Sequence, residues 1–403
     1  MKKLVMLLVV AVMMTACASN EIDKSLDMSV KLVVSDNTVT PTVTPSPIPS
    51  PTLTPTPTVA PTATPTLEQI ELVVEEIVEP TIEPVITSTL DLIDNPTKPV
   101  NMILDMDFCS DIDDVCALRI ATSLAKQGKI NLIATGNCVD GDYSCRGMHT
   151  ILSYDGFPDV PIGMARRGIE LDHNYLDGLV SRCDTSTYYK QDCVNVYKEA
   201  IKQCSLKNEK ARIVTTGFLV NIEDLLRDSE GYELVRHWVD SIWIVGGTYP
   251  FEDRDFNFYW TEDAVKSIQY VNANSPIPIV YITNSSGCDY STGKIVMCGW
   301  GLRAIDPDLN DPVTLAFDEF ERSFSGDSSG GNAAWDGLAV YTAAVSREES
   351  QTYLVTTDVE ILDNGTSIFY PNEKGKHAML ERYLDVNQYS DIMDSLMKLY
   401  MKQ

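Results

Sequence analysis

Positive charge is scarce in this chain. Its 31 lysines and arginines stand against 58 aspartates and glutamates, a formal net charge of −27 over 403 residues. Such a field repels phosphate backbones and anionic lipid surfaces, which argues against nucleic-acid binding and makes a neutral or cationic ligand easier to admit. Histidine is scarce too, with only His149, His173, His237 and His377, and the ten cysteines have no metal-ligand spacing and define no disulfide framework. No Gly-rich phosphate fingerprint follows the first predicted strand, which disfavours a dinucleotide site. The apolar run Leu4 to Met14 is too short to cross a bilayer.

That run belongs to "MKKLVMLLVVAVMMTACASN", two lysines followed by an apolar stretch and small residues ending at Ala16-Cys17. It reads as a secretory signal over residues 1–16. Small residues before a cysteine resemble a bacterial lipoprotein signal, which implies cleavage before Cys17, lipid attachment to it and an extracytoplasmic, membrane-anchored protein; plain secretion is the alternative. Residues 17–98 are expected to form a disordered linker. Thr38 to Thr66 are Thr/Pro-rich, and proline removes backbone donors and fixes φ, leaving an extended, solvated segment. The acidic-aliphatic stretch after it has no assigned structure.

Residues 99–403 carry the folded domain. The runs "VNMILDMD", "INLIATGN", "ARIVTTG", "SIWIVGG" and "IPIVYIT" alternate with amphipathic stretches such as "IDDVCALRIATSLAKQG" and "TEDAVKSIQYVN". This alternation predicts an α/β fold with a mostly parallel sheet flanked by helices. Ligands in such folds bind beyond the carboxyl ends of the strands. The residues to read are therefore Asp105, Asp107, Asn137, Asp140, Thr215, Thr216, Gly246 and Gly247.

The first of these ends is the most unusual. "NMILDMDFCSDIDDVCAL" places Asp105, Asp107, Asp111, Asp113 and Asp114 within ten positions. Carboxylates so close raise one another's pKa unless a cation neutralises them or they face water. An all-oxygen donor set favours Ca²⁺ or Mg²⁺. The competing explanation is that Asp111, Asp113 and Asp114 complement a helix N-terminus, each worth about 0.3–1 kcal/mol; it leaves Asp105 and Asp107, at the end of a buried strand, unexplained. An EF-hand loop is excluded because its Gly and distal Glu are missing. A haloacid-dehalogenase phosphatase is a weaker alternative, since Cys109 stands where that family has Thr or Val and no lysine motif follows.

Asp-x-Asp after an apolar strand, a short turn and Asp-Asp opening a helix resemble the signature of the inosine-uridine-preferring nucleoside hydrolase family. Further pieces follow in order over residues 99 to 345: "ATGN", "IVTTGFLVNIEDLL", "IWIVGGTYPFEDRDFNF" and "GGNAAWDGLAV". The resemblance implies a Rossmann-like nucleoside hydrolase architecture. It also implies a Ca²⁺ ion held by Asp107, Asp114, the carbonyl of Thr216 and Asp336, and ribose contacts from Asp113, Asn137, Asp255, Asn257 and Asp336. The implied reaction is hydrolysis of the N-glycosidic bond of a ribonucleoside or related riboside, with Asp107 taking a proton from water. The implied partner is a small-molecule nucleoside or riboside, contact with a membrane is through the lipid anchor only, and a homo-oligomer is left open.

The chain departs from that family's pattern in three places. Its turn "FCSDIDD" is longer than the commonest form, so Asp111 is an additional acid. Asp255 stands where Glu is usual. Trp335 precedes Asp336 where many members carry a histidine as leaving-group acid; stacking on a base and packing under a helix starting near Asn332 are equally open. His173, in "ELDHNYLDGLVSR", falls in a region where the family has a flexible loop near the substrate and is the candidate acid. Arg166 and Arg167 follow the "VPIGMA" strand; a solvated pair is expected, with neutralisation of the acidic cleft as the alternative. These departures keep alive a second expectation, a catalytically inactive Ca²⁺-dependent nucleoside- or sugar-binding surface lipoprotein.

Overall fold

A computed structural model describes residues 99–183, 191–324, 331–399 and 401, with Ile93 and Pro96 ahead of them. The expected signal at 1–16, the lipid site Cys17 and nearly all of the linker 17–98 lie outside the described residues.

Strand β1 (Val100–Met106) is buried along its whole length. Successive side chains of a strand point to opposite faces, and Met102, Leu104 and Met106 enter one apolar cluster while Ile103 enters another. A strand buried on both faces belongs at the centre of a parallel sheet. β1 accordingly pairs in parallel with β2 (Ile130–Val139) and β5 (Ala211–Thr215). The chain continues the sheet with β3 (Ile162–Ile169), β4 (Gln191–Asp192), β6 (Val239–Val245), β7 (Asp253–Arg254) and β8 (Ile279–Ile282). Two small ribbons follow, β9 (Cys288–Asp289) with β10 (Lys294–Ile295), and β11 (Met297–Cys298) with β12 (Asn332–Ala333). Strands β13 (Thr352–Ile361), β14 (Thr366–Pro371) and β15 (His377–Arg382) complete it. Among the described residues the order is β4-β3-β2-β1-β5-β6-β8-β15-β13-β14-β7. Pairing is parallel from β4 to β15 and antiparallel beyond.

The longer helices are α1 (Asp113–Lys126), α2 (Tyr143–Tyr154), α3 (Cys193–Leu206), α4 (Val220–Arg227), α5 (Ser229–Trp238), α6 (Glu262–Asn274), α7 (Pro312–Phe324), α8 (Trp335–Ala344) and α9 (Val386–Lys398). Residues of α1, α2, α8 and α9 fill the cluster on one face, and most buried residues of α3 to α6 the cluster on the other, Val220 and Ala264 excepted. This is the expected α/β layering. Helix α1 has Asp113 and Asp114 in its first turn and Lys126 in its last, matching the helix dipole. It stops before Gly128, whose φ of +71° is the left-handed turn that glycine tolerates.

Two local boundaries are corrected. Arg166 and Arg167 lie within β3 and not after it; both stay partly exposed, as expected, with Arg166 paired to Asp192 and Arg167 to Glu223 and Asp224. Helix α8 starts at Trp335, three residues later than expected, because Asn332 and Ala333 are paired with Cys298 and Met297. The cysteines also resolve in part: Cys116 of α1 is disulfide-bonded to Cys298 of β11.

Candidate functional site

The carboxyl ends of β1, β2, β5, β6 and β8 share one end of the parallel sheet. Asp105 and Asp107 emerge there with different surroundings. Asp105 is fully buried, and its carboxylate accepts hydrogen bonds from the Tyr197 hydroxyl at 2.5 Å, Asn221 Nδ2 at 2.7 Å and Thr215 Oγ1 at 3.3 Å. Burial outweighs these donors and pushes its pKa up to about 6. Asp105 thus ties β1 to α3, β5 and α4 and faces inward, a supporting acid.

Asp107 turns the other way. Gly217, just past β5, lies so close that a Cβ there would sit 2.5 Å from Asp107 Oδ1 and 2.6 Å from its backbone nitrogen. Only a residue without a side chain lets the loops after β1 and β5 meet. Burial and the charge of Asp111 raise the Asp107 pKa to about 7.

Asp111, Asp113, Asp114 and Asp336 gather around it. Asp113 and Asp114 come from the first turn of α1 and Asp336 from the first turn of α8. Burial raises the pKa of each, and repulsion from neighbouring aspartates raises Asp113, Asp114 and Asp336 further. Asp107 is within hydrogen-bond reach of Asp114, and Asp113 of Asp336. Asp114 also accepts from Thr216 Oγ1 at 2.8 Å. Among the described residues, no Lys, Arg or His forms an ion pair with any of the five.

This donor set meets the chemistry of a hard divalent cation. Two carboxylates in contact require a shared proton or a shared cation, and all available donors are oxygen. Among the described residues no three acidic, His or Cys side chains are arranged so that they could hold a metal ion as they stand; the carboxylates are matched with one another instead. The Thr216 carbonyl accepts from Asn257 Nδ2 at 2.7 Å, which uses one of its two lone pairs.

The remaining expected residues divide. Asn257 also donates to the Val245 carbonyl at 3.1 Å, so its amide nitrogen holds the loops after β5 and β6 together. Asp255 caps the short helix Phe256–Tyr259 by accepting from the Asn257 backbone N–H at 3.0 Å, and burial raises its pKa to about 6. Asn137 donates to the carbonyls of Val139 and Gly141 at 3.0 and 3.3 Å, shaping the loop after β2. His173 is exposed and stacks on Tyr143 with ring centroids 4.9 Å apart. Its loop is fastened to the aspartate turn, since Asn174 Nδ2 donates to the Ser110 carbonyl at 2.7 Å and the Cys109 thiol to the Asp172 carbonyl at 3.5 Å. Trp335 packs its indole against Gly287, where a Cβ would fall 2.3 Å from Nε1, and that N–H has no partner among the described residues.

Tyr197, Asn221, Gly217 and Asn332 were not singled out from sequence. Asn332 Nδ2 donates to Asp111 Oδ1 at 2.7 Å, so the additional acid of the turn is held by the strand that precedes Asp336. Two surface cavities of about 340 Å³, one lined by Leu124, Tyr341 and Leu396 and the other by His149, Tyr154 and Arg182, contain none of these carboxylates.

No protein-family model matches the sequence, and no curated protein does. Solved structures do match in fold. The type III effector protein XopQ complexed with adenosine diphosphate ribose is 16% identical, with 78% of this chain and 98% of that chain covered at a TM-score of 0.56. The inosine-uridine preferring nucleoside hydrolase from Bacillus anthracis is 12% identical over 74% of this chain and 99% of its own, at 0.52. An inosine-guanosine nucleoside hydrolase is 15% identical over 74% and 99%, at 0.53. At such identities what is shared is the fold: this chain has the α/β architecture of nucleoside hydrolase structures.

Proposed function

We propose that this protein hydrolyses the N-glycosidic bond of ribonucleosides or related ribosides, giving free base and ribose, and that it does so with Ca²⁺. The observation that carries the proposal is the group of five aspartates at the strand ends, none paired with a cationic side chain among the described residues, on a fold shared with nucleoside hydrolases. Asp107, Asp114, Asp336 and the Thr216 carbonyl are the residues that would hold the ion. When bound, Ca²⁺ would supply the positive charge that lets these carboxylates ionise together and that acidifies nearby water.

Asp107 then holds the proton taken from the attacking water. Positive charge develops on the sugar as the glycosidic bond breaks, and Asp113, Asp114 and Asp336 present negative charge to it. Asp255 and Asn257, beyond β6, face the same strand ends and orient the sugar hydroxyls. His173, stacked on Tyr143, is the candidate donor to the departing base. The signal at residues 1–16 and Cys17 support an extracytoplasmic, lipid-anchored location for this activity.

Release of free ribose from inosine, uridine or a nitrophenyl riboside, compared for wild type, Asp107→Ala and chelator-treated protein, tests the reading. Wild type should turn over, and the other two should not. A second reading, a Ca²⁺-dependent nucleoside- or sugar-binding protein without turnover, is favoured by Trp335 and Asp255 in place of the usual His and Glu. Calorimetric binding of a nucleoside with no product formed would select it.

A further inference from the structure

The two acidic helix starts are held in register by two links at one place. Cys298 of β11 and Asn332 of β12 are direct antiparallel partners. The first is disulfide-bonded to Cys116, two residues after Asp114 in α1. The second donates from Nδ2 to Asp111 Oδ1 at 2.7 Å, two residues before Asp113. One strand pair is thus tied to both sides of Asp113 and Asp114, and four residues after Asn332 the chain reaches Asp336.

The surroundings make this pair a rigid mount. β11 hangs on α9, with the Met297 N–H donating to Ser390 Oγ at 2.9 Å and the Gly299 N–H to Asp394 Oδ1 at 2.8 Å. The Ala334 N–H donates to the Val296 carbonyl at 3.0 Å. Helix α8 lies directly on α1, and a Cβ at Gly337 would fall 2.7 Å from Ile120 Cδ1. Like charges at Asp113 and Asp336 push these two helix starts apart whenever both are ionised, so a fastening across that gap has a mechanical purpose. Asp111, the acid without a counterpart in the commonest form of the signature, acquires a role.

We propose that Asp111 and Asn332, backed by the Cys116–Cys298 disulfide, are positioning residues that clamp Asp336 against Asp113 and Asp114 and so set the affinity for the divalent cation. The clamp rests on the metal reading above. It also makes the site sensitive to reduction. A dithiol breaking the Cys116–Cys298 bond delivers two electrons and two protons, leaves two thiols and closes into its own cyclic disulfide.

Calorimetric titration with Ca²⁺ alone, on the full chain, tests the clamp independently of turnover. Asn332→Ala should weaken binding roughly 10–100-fold, the range for a residue that orients a metal ligand, while the thermal midpoint of the chelated protein stays near that of wild type. The exchange Asp111→Asn with Asn332→Asp keeps both the hydrogen bond and the total charge, and should restore affinity. Dithiol-treated wild type should bind as weakly as the Cys116→Ser/Cys298→Ser variant. Wild-type affinity in both Asn332→Ala and dithiol-treated protein overturns the clamp and leaves the metal reading standing. Absence of Ca²⁺ binding by wild type overturns both.

Discussion

Helix α1 passes through two buried charged clusters that differ in one respect. In its middle, Arg119 is fully buried, with Nε 3.0 Å from Asp155 Oδ2 and its terminal nitrogens 2.8 and 3.0 Å from the two oxygens of Asp311. At its start, Asp113 and Asp114 meet Asp107, Asp111 and Asp336 with no side-chain cation among the described residues. Charge is expensive to bury, and a chain that buries it for structure supplies the counter-charge itself. The cluster on the same helix, about one and a half turns away, is left without a side-chain counter-charge among the described residues, and under the proposed function a cation would supply it.

The contrast can be broken first by substitution. Asp107→Ala should lower riboside turnover roughly 10²–10⁴-fold, the range for losing a general base, and leave the fold intact. Arg119→Met should do the reverse. It strands Asp155 and Asp311 in the interior at a cost of about 3–5 kcal/mol in unfolding free energy, while Ca²⁺ affinity of the protein that remains folded is kept. Denaturant unfolding and ribose release, measured on both variants, separate the two clusters. Loss of stability in Asp107→Ala on the scale of Arg119→Met would erase the distinction.

The next effect is a pH dependence of the metal-free protein. Asp105 is raised to about 6 and Asp107 to about 7. A raised acid pKa means that the native state favours the protonated form. That contribution is present below pH 4 and is lost as pH rises through 6 to 7. For Asp105 alone it amounts to about 3 kcal/mol. Chelated protein should therefore melt at progressively lower temperature between pH 4 and pH 8, Asp105→Asn should flatten the slope, and Ca²⁺ at a hundred times its Kd should return about 2.7 kcal/mol. A flat melting profile in the chelated wild type would contradict the unbalanced-cluster picture. The smallest effect on turnover is that of His173→Ala, about 10²-fold in kcat, the low end of the range for losing a general acid, because the imidazole stacks on Tyr143.

Much of this was visible in the sequence. The runs "VNMILDMD", "ARIVTTG" and "SIWIVGG" became β1, β5 and β6 because aliphatic strands buried on both faces have a composition that local reading detects. The antiparallel addition β13 to β15 was not anticipated, although the Asn364-Gly365 pair closing its first hairpin is a recognisable turn signal, with Gly365 at φ +82°. Inside the site, the aspartates were legible because five in ten positions is a local anomaly. Their supports were not. Tyr197 and Asn221 reach Asp105 from α3 and α4 only after the helices pack. The Cys116–Cys298 pairing spans 182 residues and follows from no spacing rule. The amide nitrogens of Asn137 and Asn257 serve loop carbonyls here, a use that residue type alone does not reveal.

The contact between Asn332 and Asp111 joins positions 221 residues apart. Loops that long close late in folding, after the local helices and neighbouring strands have formed. A cation held between α1 and α8 would thus find its full set of oxygens only on a chain that has completed its last crossovers, and the number of divalent cations bound per chain would count how many molecules in a preparation have finished folding.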